Sequence, residues 1–200
     1  MRMLWIFGVI LLLSACVTPP PRDINNVCHI FKQRPDWYRA SKDVERRWHV
    51  PVTVQMAIIH QESKFDANAM PERTKLLWII PWKRPSTAFG YSQALRGTWA
   101  LYKRSRGGVF ASRDDFTDGV DFIGWYANEA YKRAKIPRAN AYALYLAYHE
   151  GVGGYQRRTY LQKPWLISVA HKVSARETLY RAQMLNCTVP RSSNVWSLWS

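Results

Sequence analysis

Apolar positions recur at three- and four-residue steps along most of the chain, a period that predicts helices. The clearest run covers residues 114–135, where Phe116, Val120, Ile123, Ala127, Ala130, Tyr131 and Ala134 form one stripe ending before Pro137. Residues 140–149 repeat the pattern with Ala141, Leu144, Tyr145 and Tyr148, and the glycines at 151, 153 and 154 break it. A last helix of about twenty residues runs over 164–185, with Pro164 suited to its first turn. Upstream, Ser41 is placed to cap a helix over 42–49. Pro51 opens a second over 52–64, and a third over 98–105 is stopped by Gly107 and Gly108. No hairpin signal and no internal repeat stands out, and the closing Val195-Trp196-Ser197-Leu198-Trp199 belongs to no predicted element. The expected fold is a single compact all-α domain.

Composition leaves that picture intact and adds a partner. Hydrophobic residues at 48% and charged residues at 22% exclude a wholly disordered chain. Twenty-nine basic against fourteen acidic residues give a net charge of +15, which selects a polyanion: nucleic acid, anionic lipid or an acidic wall polymer. Ten Trp and eleven Tyr exceed what a 200-residue core needs, so some are expected to stack on a ligand.

The N-terminus chooses among those partners. Arg2 precedes an apolar run, residues 4–13, too short for a stable membrane span. The run ends in Leu13-Ser14-Ala15-Cys16, which resembles the bacterial lipobox, with Cys16 as the lipidated residue; a secretory signal cut near Ala15 is the alternative. Val17 after the cysteine, by the same resemblance, implies the inner leaflet of the outer membrane facing the periplasm. Residues 1–15 are then the signal, 16–27 a Pro-rich tether, 28–187 the domain and 188–200 a tail. Export makes nucleic acid an improbable partner. Two cysteines, Cys28 and Cys187, remain in an oxidising compartment, and a disulfide is expected over two free thiols. Closing so long a loop stabilises by at most roughly 4–5 kcal/mol. His29, His49, His60, His149 and His171 show no metal-ligand spacing, so neither metal nor cofactor is expected.

The candidate acid lies at the end of the helix over 52–64. Val54, Ile58 and Glu62 stand four residues apart, which puts a carboxylate on an apolar face at the negative end of a helix. Both surroundings disfavour the anion and raise the pKa, as a general acid near neutral pH requires.

Three segments in order then resemble the catalytic domain of soluble lytic transglycosylases, relatives of goose-type lysozyme. The first is Ala57-Ile58-Ile59-His60-Gln61-Glu62-Ser63-Lys64-Phe65-Asp66-Ala67-Asn68-Ala69, whose glutamate the family uses as sole acid/base. The second is Gly90-Tyr91-Ser92-Gln93, where the family has a sugar-lining Gly-Leu-Met-Gln turn. The third is Ala147-Tyr148-His149-Glu150-Gly151, where the family has Ala-Tyr-Asn-Ala-Gly. The resemblance implies a lysozyme-like fold and cleavage of the β-1,4 bond between N-acetylmuramic acid and N-acetylglucosamine, leaving a 1,6-anhydro end. It further implies Glu62 as acid/base, Tyr148 as a catalytic hydroxyl, and Ser63, Gly90, Tyr91, Ser92, Gln93, His149 and Glu150 along the glycan groove.

This chain departs from the pattern in three places. Met70-Pro71 stands where the family often has a substrate-contacting Ser. Glu62 and Gly90 are 28 residues apart, about twice the usual gap, and the surplus carries Trp78 and Trp82, which either wall the groove or plug the loop's own small core. Glu150 adds a second carboxylate, expected in a salt bridge with nearby arginines rather than in catalysis. Two other functions stay open: hydrolysis of the same bond with Glu150 or a neighbouring Asp activating water, and a non-catalytic wall-binding lipoprotein.

Overall fold

The computed structural model describes residues 19–73, 75–76, 80–81, 84–106 and 108–189; Cys16, Trp78, Trp82, Gly107 and the residues from 190 onward lie outside them. Seven α-helices follow among the described residues: α1 (Val27–Gln33), α2 (Pro35–Trp48), α3 (Val52–Ser63), α4 (Arg96–Arg106), α5 (Phe116–Ala134), α6 (Ala141–Gln156) and α7 (Pro164–Met184). A 3-10 turn, Thr159–Gln162, joins the last two. The fold is all-α, as the periodicity predicts.

Local chemistry sets the helix starts. The Asn26 side chain accepts the Cys28 and His29 amides at 3.0 and 3.1 Å and opens α1. Asp115 and Asn140 do the same for α5 and α6, taking the amides of Asp118 and Ala143 at 3.0 Å each. Pro35 and Pro164 each open a helix where the missing N–H costs nothing.

Packing places α3 at the centre. Every residue from Val52 to His60 is buried, so α3 has no solvent face over that stretch. It packs against α2, α5, α6 and most extensively α7, while α2 lies along α5. Between α2, α5 and the turn at Gly90, Trp37 stacks on Phe116 at 4.0 Å and Tyr91 meets both rings edge-on at 5.5 Å. Replacing Trp37 with Ala would cost roughly 3–5 kcal/mol. A polar knot crosses the same layer: the buried Asp121 of α5 accepts from Arg47, Trp48, Tyr102 and Arg106, tying α2 and α4 to α5.

The chain ends meet. Cys28 and Cys187 form the expected disulfide. Beside it the Val27 amide donates to Gln183 Oε1 at 2.9 Å, and Tyr180 Oη donates to the Ile24 carbonyl. Residues 19–26, read as tether, thus lie along α1 and α7, with Arg34 donating to the Pro19 carbonyl and Pro21 buried.

Three expectations are corrected. Ser41 caps nothing: it is buried in the middle of α2, its hydroxyl facing Met56 Sδ at 3.9 Å, because the helix begins six residues earlier at Pro35. The glycines after His149 do not end α6; the helix bends at Gly151, whose φ of 73° and ψ of 155° are open to glycine, and resumes to Gln156. The absence of a hairpin gives way to an antiparallel pair, Lys75–Leu76 with Ile80–Pro81, inside the long insertion. Two residues per strand are too few to show an alternating pattern.

Candidate active site

Glu62 sits in the last turn of α3, which closes at Lys64 in the left-handed region with its N–H returned to the His60 carbonyl. Glu62 is partly exposed as a residue, yet its carboxyl is held out of water, and this desolvation pushes its pKa up to about 7. Two groups oppose the rise without cancelling it. The Tyr145 hydroxyl of α6 donates a hydrogen bond to the carboxylate, and the Lys64 charge favours the anion. A protonated carboxyl near neutral pH is a proton donor whose conjugate base is favoured by one neutral hydroxyl and the Lys64 charge.

Tyr148 stands one turn beyond Tyr145 on the same face of α6, and Glu62 acts on it electrostatically. Its hydroxyl donates to the Ser92 carbonyl at 2.5 Å. With that proton committed, Tyr148 offers only lone pairs to anything bound beside it. Burial and the neighbouring Glu62 hold both tyrosines in the neutral form, well above the ordinary phenol range.

The Gly90 turn reaches the site from the other side. Gly90 has a φ of 75°, and a Cβ there would lie 1.9 Å from the Arg113 carbonyl oxygen, so only glycine fits. The turn is pinned by Gly90 N donating to the Ala69 carbonyl at 2.9 Å and by Gln93 Nε2 donating to Ala69 and Gly90 carbonyls at 2.7 and 2.9 Å. Gln93, Tyr148, His149 and Glu150 then line one cavity of about 250 Å³.

Glu150 has the opposite surroundings from Glu62. Lys163 Nζ donates to it at 2.7 Å, Thr159 Oγ1 donates to its other oxygen, and His149 Nδ1 lies at 3.1 Å. These bonds outweigh burial and hold the pKa down to about 2. The ion-pair expectation is met by Lys163 rather than by an arginine, because the 3-10 turn folds back on the Gly151 bend.

Other groove expectations fall differently. Ser63 is buried, donating to the Ile59 carbonyl at 3.3 Å and accepting the Phe65 amide at 3.2 Å, so its hydroxyl serves the helix end. Tyr91 and Ser92 are buried too: the first joins the Trp37–Phe116 cluster, and the second presents its main chain to Tyr148. Trp78 and Trp82 lie outside the described residues. Tyr145 is the contact that motif reasoning misses, since its place in an apolar helix stripe looks like core. The signal available is its three-residue step to Tyr148. Among the described residues, no group of three His, Cys, Asp or Glu side chains could hold a metal ion.

A family profile described as Transglycosylase SLT domain matches residues 4–187. No curated protein and no solved structure matches the chain.

Proposed function

Because the chain belongs to the transglycosylase SLT domain family, we propose that it is a lytic transglycosylase acting on the β-1,4 bond between N-acetylmuramic acid and N-acetylglucosamine of peptidoglycan, with Glu62 as its sole acid/base. The observation that carries this reading is the Glu62 carboxyl, desolvated to a pKa of about 7 beside the Tyr145 and Tyr148 hydroxyls. Protonated Glu62 gives its proton to the glycosidic oxygen as the bond to the anomeric carbon breaks. The oxocarbenium-like centre is relieved by the N-acetyl group of the muramic sugar. The Glu62 carboxylate then takes the proton of that sugar's 6-hydroxyl, whose oxygen bonds to the anomeric carbon. The proton returns to Glu62, the product carries a 1,6-anhydro ring, and no water is consumed. Tyr148, whose own proton is committed to Ser92, can accept a hydrogen bond from a substrate hydroxyl and so position it.

Hydrolysis would need a second carboxylate free to activate water. Glu150 is occupied by Lys163, Thr159 and His149, which favours the water-free route. The same reading places the protein in the bacterial envelope, lipidated at Cys16 on the inner leaflet of the outer membrane, with the catalytic domain over 28–187.

Mass spectrometry of the products from purified sacculi tests the reaction, since anhydro and hydrated ends differ by one water. Wild type should release 1,6-anhydro ends and Glu62→Gln essentially none. Reducing ends that vanish in Glu150→Gln would make the protein a hydrolase, and no cleavage by folded wild type would leave a wall-binding protein.

A further inference from the structure

A second cavity, of about 360 Å³, opens between α3 and α7. Its polar rim is Lys64 from the end of α3 with Lys172 and Arg176 from α7; its walls are apolar, with Ala57, Val173 and Leu179. Among the described residues, no carboxylate stands within ion-pair distance of Lys64, Lys172 or Arg176. Lys64 Nζ lies 3.4 Å from His60 Nδ1. Arg176 spends one donor on Asn25 Oδ1 at 2.9 Å and lies 5.6 Å over the Tyr180 ring. Gathering like charges without a counterion costs stability, and the cost is visible locally. Lys64 is held below its ordinary range by desolvation and by Arg176, against the opposing pull of the Glu62 carboxylate. His60, 7% exposed, is pushed down to about 4 by burial and by the Lys64 and Arg176 charges, and its Nε2 has no hydrogen-bond partner. The pocket therefore holds a neutral imidazole beside Lys64 and Arg176, with Lys172 also on its rim, at a site large enough for a small ligand.

The rim is coupled to Glu62: Lys64 is pushed down by Arg176 and pulled up by Glu62, and Gln61, beside Glu62 in the chain, lines the cavity. A hydrated inorganic ion does not explain the aliphatic walls, and a flat anionic surface does not enter a recess. A short peptide ending in carboxylates matches both features.

We infer that the α3–α7 pocket binds a carboxylate of the acidic peptides carried by the muramic sugars, through Lys64, Lys172 and Arg176. The inference rests on the proposed peptidoglycan substrate and adds that the enzyme reads the peptide as well as the glycan. It gives part of the +15 charge a local purpose.

The test is calorimetric binding of three probes to the full chain: the free acidic stem peptide, the disaccharide carrying that peptide, and the disaccharide without it. Wild type should bind both peptide-bearing probes, and Lys172→Gln with Arg176→Gln should weaken them about tenfold or more while leaving the bare disaccharide unchanged. Lys172→Gln alone, at an exposed position, keeps the test available if the double variant folds poorly. In wild type, bound peptide should raise the titration midpoint of the His60 imidazole followed by NMR, because an anion offsets Lys64 and Arg176. The charged groups acting on that ring are Lys64 at the end of α3 and Arg176 from α7, and the Tyr180 ring that meets it edge-on is uncharged. No binding of the peptide, equal binding by the variants, or an unmoved His60 midpoint would overturn the site. Binding of phosphatidylglycerol vesicles with the same Lys172 and Arg176 dependence, and none of the peptide, would reassign it to lipid phosphate. Anhydro products without peptide binding would sink this inference alone; peptide binding without any cleavage would sink the reaction and keep the pocket.

Discussion

Glu62 and Glu150 are the same side chain in two surroundings. Glu62 ends α3, where its carboxyl is stripped of water and met by one neutral phenol, and its pKa climbs to about 7. Glu150 sits beside the Gly151 bend of α6, where a lysine, a threonine and a histidine converge on it, and its pKa falls to about 2. One is positioned to exchange a proton near neutrality, while the other stays a fixed anion that clasps the 3-10 turn. Carboxylate count therefore says little about mechanism; what each oxygen touches decides it.

The sharpest way to break this comparison is to remove each glutamate in turn. Glu62→Gln should lower release of anhydro fragments at least ~100-fold with its fold intact, since an amide cannot cycle a proton. Glu150→Gln should keep measurable turnover and instead lose roughly 1–3 kcal/mol of stability, because Lys163 is left without its anion. Thermal melts locate that loss. Glu150 stabilises the fold above its unfolded pKa of about 4.5, so the difference from wild type should shrink as pH falls from there toward 2.

The comparison was half legible in sequence. Glu62 stands out through its motif and its four-residue step from Val54 and Ile58, and of the two expected causes, desolvation and the helix end, desolvation is the largest one in the structure. Its partner Tyr145 does not, because a tyrosine in an apolar stripe looks the same whether it packs or donates. Glu150 was legible as an ion pair, but Lys163 lies 13 residues on and meets it only because the chain reverses through Thr159–Gln162. The same limit applies to the fold. The period of α5 shows in the pattern, while α6 and α7 are marked by their breakers at the Gly151 bend and at Pro164. The seven-residue α1, cut from α2 by Arg34-Pro35, is too short to show a period. Buried polar Ser41 imitated a cap.

Subtler changes sharpen the contrast. Tyr145→Phe removes the hydrogen bond that favours the Glu62 anion, so the alkaline limb of the pH–activity profile should move upward from about pH 7. A limb that stays in place would mean that the bond does not reach the working carboxyl. Smaller still is a stability effect. Folded Glu62 keeps its proton between about pH 4.5 and 7 while the unfolded group loses it, so wild type pays a growing penalty with rising pH across that window. Glu62→Gln should therefore melt above wild type at pH 8, with the gap closing toward pH 4.5.

On the proposed reading, surroundings rather than identity make Glu62 the proton carrier. The most direct measurement follows the side-chain carboxyl carbons of ¹³C-labelled glutamates through a pH titration, with Glu62→Gln and Glu150→Gln assigning the two signals. Glu62 should show a midpoint near 7, and the Glu150 signal should remain that of an anion down to the lowest pH at which the fold survives. A Glu62 midpoint at or below about 4.5, the range of an ordinary solvated glutamate, would contradict that reading.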